Sequence, residues 1–243
     1  MNLEKANMLE NLSKLSFDWK YVWINIVIFA IAYFIGSINL AIILSKKRGK
    51  DLRNVGSGNA GATNAMRNFG IKFGAVIFIF DIFKAYISIM IVFSIKTWLN
   101  DVFILPIIAG AGALVGHIFP IFFKLKGGKG VACLFGIVLA FDLMIFTIFV
   151  MIYIALILIT KYVSLSSALS ALVVPYLGFI PIIYSQSFIS FMQRNTPYPS
   201  HAIIIVICAI LIILKHVPNY VRIINKQESK INFYTNYNDL KSK

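Results

Sequence analysis

Residues 131–160 read VACLFGIVLAFDLMIFTIFVMIYIALILIT, a run of thirty in which Asp142 is the sole charge. A single membrane span takes about 20 apolar residues, so this run is too long for one comfortable crossing and short for two. Gly136 and Asp142 mark a break near residue 141 and divide the run into spans 131–141 and 143–160. Charge bias points the same way. Lys and Arg in short connections mark the cytoplasmic side of a membrane. With two spans here, Lys161 and the basic tail from Lys215 join the basic loops that precede residue 131, whereas with one span the tail would lie opposite them.

Working outward, five further apolar runs lie near 21–45, 73–95, 102–123, 164–184 and 201–214. The fold class expected is an all-α polytopic membrane protein of seven transmembrane helices, with the N-terminus outside, the C-terminus cytoplasmic and three polar loops on the cytoplasmic face. Residues 21–230 form one transmembrane domain between an N-terminal tail (1–20) and a C-terminal tail (231–243). In the N-terminal tail, Leu9, Leu12 and Leu15 at helical spacing suit an interfacial helix or a frayed end equally. Tyr21 and Trp23 anchor one end of the first span and Lys46, Lys47 and Arg48 the other. That span is longer than a signal-peptide core and lacks a small-residue cleavage site, so it is expected to be retained.

Composition agrees: 59% of the 243 residues are hydrophobic and 13% charged, with a mean hydropathy of +0.83. Lys and Arg number 23 against 9 Asp and Glu, a net charge of +14. In a soluble protein that excess would suggest nucleic acid. Here it lies between apolar runs, which disfavours nucleic acid and suits anionic headgroups and phosphorylated substrates. Cys133 and Cys208 sit inside apolar runs without metal-ligand or disulfide spacing.

The first polar loop is Gly56-Ser-Gly-Asn-Ala-Gly-Ala-Thr-Asn-Ala-Met-Arg67-Asn-Phe-Gly70. Gly56, Gly58 and Gly61 allow positive φ and close approach of backbone N–H groups to an anion. Ser57, Asn59, Thr63 and Asn64 add short polar groups, and Arg67 adds a planar fork suited to phosphate. The spacing satisfies Gly-x-Gly-x-x-Gly, but a dinucleotide site needs a preceding strand and here a membrane span precedes it. The second loop runs from Gly116-His117-Ile-Phe-Pro120 to Lys126-Gly127-Gly128-Lys129-Gly130, glycines and lysines next to a helix start, without Walker A spacing. The third cluster is Lys215-His216-Val-Pro-Asn219-Tyr-Val-Arg222, followed by Glu228. A basic anchoring segment would explain part of it; convergence of all three clusters on one face argues for a shared site.

Within the spans, Asp81 and Lys84 lie three apart on one helical face and suit an ion pair. Gly112 and Gly116 form a small-x-x-x-small pattern for close helix approach, and Ser166, Ser167 and Ser170 are expected to donate between helices.

These three motifs resemble those of the bacterial acyl-phosphate:glycerol-3-phosphate acyltransferases. The likeness extends to Gly36-Ser-Ile, Asp51, Arg53, Asp81-x-x-Lys84 and Tyr162-Val-Ser-Leu, and covers about residues 33–230. The chain departs from the family pattern at Asn39, where a proline is usual, and at Lys226-Gln227, where a Gly-Thr pair is usual before the glutamate.

The resemblance implies transfer of a fatty acyl group from acyl phosphate to the 1-hydroxyl of glycerol 3-phosphate in a bacterial cytoplasmic membrane. No cofactor or metal is expected, since the chain has no His-Glu-x-x-His or clustered aspartates, and the activated anhydride requires no covalent enzyme intermediate. The resemblance places Ser57, Arg67, His117 and Lys126 in the catalytic set. Substrate phosphates fall to Gly56, Gly58, Asn59, Gly61, Thr63, Asn64, Gly127, Gly128, Lys129, Gly130, His216, Asn219 and Glu228. Arg67, Lys126 and the amides of Gly127 and Gly128 would offset the leaving phosphate and oxyanion. The base is either His117 or an oxygen of the acyl phosphate, with the substrate oxygen preferred. Two other classes fit parts of the pattern: a transporter of an organic phosphate, and an acyltransferase with a thioester donor. No signal of oligomeric state is legible.

Overall fold

The computed structural model describes residues 19–180 and 197–231. The expected interfacial helix at the N-terminus, the end of the sixth span and the tail from residue 232 lie outside the described residues.

Ten α-helices are present among them: α1 (Trp19–Gly36), α2 (Leu40–Lys47), α3 (Ala62–Phe69), α4 (Ile71–Leu99), α5 (Pro106–Ile118), α6 (Val131–Phe141), α7 (Leu143–Thr160), α8 (Val163–Leu177), α9 (Ser200–Lys215) and α10 (Val217–Ile224). Short 3₁₀ turns occupy Leu52–Asn54 and Ile121–Phe123, and no strand occurs among the described residues. Four helical segments are long and apolar enough to cross a membrane: Trp19–Lys47, Ile71–Leu99, Pro106–Phe123 and Leu143–Thr160. The pair α9 and α10, bent by 43°, makes a fifth, and α6 and α8 are shorter apolar helices.

Asp142 divides the long apolar run. It adopts extended backbone at φ −161°, ends α6, and its Oδ1 accepts the Ile145 N–H at 2.9 Å to cap α7. A carboxylate at a helix N-terminus meets both the orphan amides and the helix dipole. The first span, read from sequence as continuous over 21–45, is interrupted at residues 37–39. Asn39 caps α2 by accepting the Ile42 N–H at 3.0 Å, and its Nδ2 donates to the Ala60 carbonyl at 3.3 Å. A proline there would make neither contact, and Asn39 thereby ties the first span to the first polar loop.

The bundle is turned for a lipid solvent. Along α4, Val76, Ile79, Phe83, Ile87, Ile91 and Ile95 are exposed while Asp81, Lys84, Ser88 and Lys96 are buried, the orientation expected where hydrocarbon replaces water outside. At the centre, α6 is buried on almost every face, from Ala132 to Val138 and again at Ala140 and Phe141. Helices α4, α5, α7 and α9 pack around it.

Glycine sets the closest approach. A Cβ at Gly112 would overlap the Phe29 carbonyl oxygen, one at Gly116 the Tyr33 carbonyl oxygen, and one at Gly36 the Ala113 carbonyl oxygen, so α1 and α5 meet backbone to backbone. The serines of α8 bond back into their own helix, and Ser166 also bonds across to α7. Ser166, Ser167 and Ser170 donate to carbonyls four residues earlier, Tyr162, Val163 and Ser166, at 2.9, 2.7 and 2.7 Å. Ser166 Oγ also pairs with Thr160 Oγ1 of α7 at 3.1 Å, so this hydroxyl bonds between helices as well as within α8.

Gly116→Val is expected to cost about 1–3 kcal/mol through overpacking against Tyr33. A lowered melting temperature of the purified protein in detergent would bear this out; an unchanged one would count against the backbone contact.

Candidate active site

The first loop is organised by Asn64. Its Nδ2 donates to the carbonyls of Leu52, Val55 and Asn59 at 3.1, 3.0 and 3.0 Å, and its Oδ1 accepts the Ser57 N–H at 3.0 Å. Gly56 (φ +58°) and Gly58 (φ +70°) make the turns around this amide, and a Cβ at Gly56 would overlap Asn64 Oδ1. The Asn64 side chain is thereby consumed inside the loop. Ser57, Asn59, Gly61, Thr63 and Arg67 line a cavity below it. Among the described residues, neither the Ser57 nor the Thr63 hydroxyl has a protein hydrogen-bond partner.

The second loop is a tight hairpin. Gly127 and Gly128 donate their N–H groups to the Ile118 and His117 carbonyls at 3.2 and 3.1 Å, so both amides are engaged within the protein. Lys124 and Leu125 stand in the left-handed region at φ +58° and +57°, and this turn sends the two lysines of the motif apart. Lys129 and Gly130 line the same cavity as the first loop. Lys126 and Gly127 instead line a second cleft with Asp51, Arg53, Asn54, Gly58 and Lys124. There the Asp51 carboxylate binds Arg53 at 2.7 Å, and this hydrogen-bonded pairing pulls Asp51 down to about 2.

The third motif closes the main cavity. His216, Asn219 and Glu228 line it. The Glu228 carboxylate accepts from Asn219 Nδ2 at 2.7 Å, Ser164 Oγ at 2.8 Å and Arg222 Nε at 2.8 Å. Burial acts to raise the Glu228 carboxyl, but the three hydrogen bonds outweigh it and hold the group below the usual carboxylate range. Asn219 Oδ1 in turn accepts from Lys129 Nζ. Burial lowers the Lys129 ammonium to about 8, with Arg222 and Arg67 adding to the shift and Glu228 opposing it. Arg67 Nη2 donates to the Ser229 carbonyl at 3.3 Å, so the segment after α10 folds back over the first loop.

Three helices begin at this cavity. It is lined by Gly61, Ala62 and Thr63 at the start of α3, by Gly130, Val131 and Ala132 at the start of α6, and by Val163 and Ser164 at the start of α8. None of the three has a side-chain hydrogen bond at its N-cap. Their first-turn amides and dipoles are left to a guest anion, beside the cations of Arg67 and Lys129. The lining also includes Phe78 of α4 and Tyr153 of α7. Asp81 and His117 complete it from within the bundle.

Sequence reasoning left several of these out. Ser164 falls within the Tyr162-Val-Ser-Leu segment, where a serine next to a helix start was the available signal. Phe78 and Tyr153 carry no signal that separates them from other aromatic residues facing lipid.

Fold and site together define an integral membrane enzyme whose cavity offers an anion three helix ends and two cations, with two aromatic rings in its lining. The family described as Glycerol-3-phosphate acyltransferase matches residues 26–226. A glycerol-3-phosphate acyltransferase of Mycoplasmopsis synoviae (strain 53) is 40% identical over 216 residues, covering 86% of this chain and 96% of the relative. That of Bacillus subtilis (strain 168) is 39% identical over 202 residues, covering 83% and 94%. The solved structure of PlsY (YgiH), an integral membrane glycerol 3-phosphate acyltransferase, matches in its glycerol 3-phosphate form with a TM-score of 0.71 at 29% identity, covering 86% of this chain and 96% of the other. Its lysophosphatidic acid form matches at 0.69. The chain belongs to the glycerol-3-phosphate acyltransferase family and is an acyltransferase.

Lys226, where the family usually has glycine, adopts φ +57°. The left-handed turn that aims Glu228 is thus kept by a residue for which it costs about 1 kcal/mol. Lys226→Gly is expected to be tolerated, whereas β-branched Lys226→Val, for which φ > 0 is far less accessible, should open the turn. Hydrogen exchange at the Glu228 amide, which donates to the Arg222 carbonyl at 3.1 Å, distinguishes them: faster only in the valine variant.

Proposed function

We propose that this protein transfers a fatty acyl group from acyl phosphate to the 1-hydroxyl of sn-glycerol 3-phosphate, giving 1-acylglycerol 3-phosphate and phosphate, the first step of phospholipid synthesis. The observation that carries the reading is the composition of the cavity. It combines helix ends, Arg67 and Lys129 with the aromatic rings of Phe78 and Tyr153, which suits two phosphorylated substrates of which one bears a hydrocarbon chain. The relatives' names, and the glycerol 3-phosphate and lysophosphatidic acid forms of the solved structure, support the acceptor and the product.

The seven apolar segments α1–α2, α4, α5, α6, α7, α8 and α9–α10 cross a bacterial cytoplasmic membrane with the N-terminus outside. The three motif loops then share the cytoplasmic side with Lys161 and Lys215. Acyl phosphate is a mixed anhydride with an activated carbonyl, so the glycerol hydroxyl attacks it directly. Arg67, Lys129 and the first-turn amides of α3, α6 and α8 stabilise the leaving phosphate and the oxyanion. Ser57, Asn59 and Thr63 orient one phosphate, and His216 and Asn219, braced by Glu228, orient the other substrate. Asn64 shapes the first loop. Lys126, in the neighbouring cleft, raises the potential at the loop face without touching the reacting atoms.

Purified protein given glycerol 3-phosphate with acyl phosphate or acyl-CoA supplied separately should form product from acyl phosphate alone; product only from acyl-CoA would overturn the donor. The Lys129 ammonium, held at about 8, loses its proton as pH rises through that value. The kcat/KM for glycerol 3-phosphate should therefore fall about tenfold between pH 7 and pH 9, and Lys129→Arg should flatten that profile. Arg67→Ala is expected to lower kcat/KM by at least about a hundredfold, and Lys126→Ala by less than tenfold.

A further inference from the structure

Asp81, Lys84 and His117 form a buried polar cluster beneath the cavity, and its geometry bears on how His117 takes part. Lys84 Nζ lies 3.0 Å from His117 Nδ1, 3.2 Å from the Ile38 carbonyl oxygen and 2.7 Å from Asp81 Oδ1. An ammonium has three hydrogens and no lone pair, so it can only donate. The contacts to Nδ1 and to the carbonyl have hydrogen-bond geometry, whereas Asp81 Oδ1 has no partner with such geometry. Asp81 therefore acts on the cluster as a charge. The distance from His117 Nδ1 to Asp81 Oδ1 is 3.2 Å, without hydrogen-bond geometry toward that oxygen. A proton on Nδ1 would face the Lys84 ammonium, donor against donor. Nδ1 is the acceptor, and in the neutral ring the proton sits on Nε2.

The Nε2 side of the ring has a different environment. Nε2 has no protein hydrogen-bond partner among the described residues, and His117 lines the cavity. A Cβ at residue 128 would overlap Nε2, so Gly128 is what leaves room for this edge of the imidazole.

We propose that Lys84, paired with Asp81, is a positioning residue that fixes His117 as its Nε2–H tautomer, so that His117 enters the reaction as a hydrogen-bond donor to an anionic phosphate oxygen. The identity of the acceptor rests on the acyl-transfer reading; the tautomer does not. The proton balance is then closed by the substrates. The 1-hydroxyl oxygen forms the ester bond to the acyl carbon, the C–O bond of the anhydride breaks, and the hydroxyl proton passes to a phosphate oxygen that departs as hydrogen phosphate.

The test is nuclear magnetic resonance of protein labelled with ¹⁵N-histidine in lipid nanodiscs, with the His117 signals identified by their loss in His117→Gln. Two-bond ¹⁵N–¹H correlations of the wild-type protein at neutral pH should show the Nε2–H pattern. In Lys84→Met, which keeps volume and removes the donor, they should show a mixed or reversed pattern. An Nδ1–H or imidazolium pattern in the wild type overturns the proposal, and that reading stands even if Lys84→Met does not fold. Turnover provides an independent arm. Glutamine can place an N–H near the position of Nε2 but cannot act as a base. His117→Gln is expected to keep at least about a tenth of wild-type turnover, and His117→Leu to lose more than about a hundredfold. Equal losses in the two would overturn the donor role. Failure of the acyl-transfer reading would appear instead as absence of turnover in the wild type, with the tautomer result unaffected.

Discussion

A phosphate dianion can sit beside hydrocarbon only where fixed dipoles and cations replace its water. That requirement organises this chain. Each helix N-terminus carries roughly half a positive charge, so the starts of α3, α6 and α8 together supply about one and a half, to which Arg67 and Lys129 add two. Glu228 is the carboxylate facing them from the third motif, and Arg222 offsets it at 2.8 Å. Bringing several helix ends to one point requires that helices begin there, which is why the spans are interrupted by glycine-rich loops. It also explains why α6 and α8 are short. A helix that must start at the cavity cannot use the full thickness of the bilayer before its chain turns.

The second constraint lies in the apolar interior. Ionised groups at membrane depth cost on the order of 3 kcal/mol each on insertion scales, and Asp81 and Lys84 are 2% and 6% exposed. Pairing at 2.7 Å offsets part of that cost, and the rest of Lys84's capacity goes to the Ile38 carbonyl and His117. The cluster consequently joins three places: the break after α1, the middle of α4 and the end of α5. An apolar substitute would fill the same volume but would leave Ile38 and His117 without that link. The cluster is therefore an orienting device more than a source of stability.

The helical membrane class was legible because a run of thirty apolar residues has few physical interpretations, and the interruption at Asp142 because a carboxylate there needs amides to bind. The convergence of the three loops was legible because glycine, amide and guanidinium groups stand out between apolar spans, and residues of all three line one cavity. Their internal division of labour was not. Asn64 reads from sequence like a ligand group, and its inward orientation depends on carbonyls up to twelve residues away. Lys126 and Lys129 are chemically equal in sequence, and two left-handed residues upstream, Lys124 and Leu125, put them in different clefts. The contact of His117 with Asp81 spans 36 positions, beyond the reach of any helical or loop periodicity.

The second motif is better understood as one rigid block than as a flexible lysine-rich loop. The His117 carbonyl accepts the Gly128 N–H at 3.1 Å while the His117 ring rests against the Gly128 α-carbon, so residue 117 grips the loop from backbone and side chain together. Arg53 adds an external clamp, donating to the Phe123 carbonyl at 2.9 Å while bound to Asp51. The loop is thus held to the first motif on one side and to the buried ion cluster on the other. Lys129 leaves this block one residue after Gly128 and reaches Asn219 of the third motif. Any displacement of α5 that disturbed His117 would carry the Lys129 ammonium with it. A cavity that must hold a phosphate against a carbonyl in fixed geometry gains from that coupling, because its cations cannot drift independently of the groups that orient the substrate.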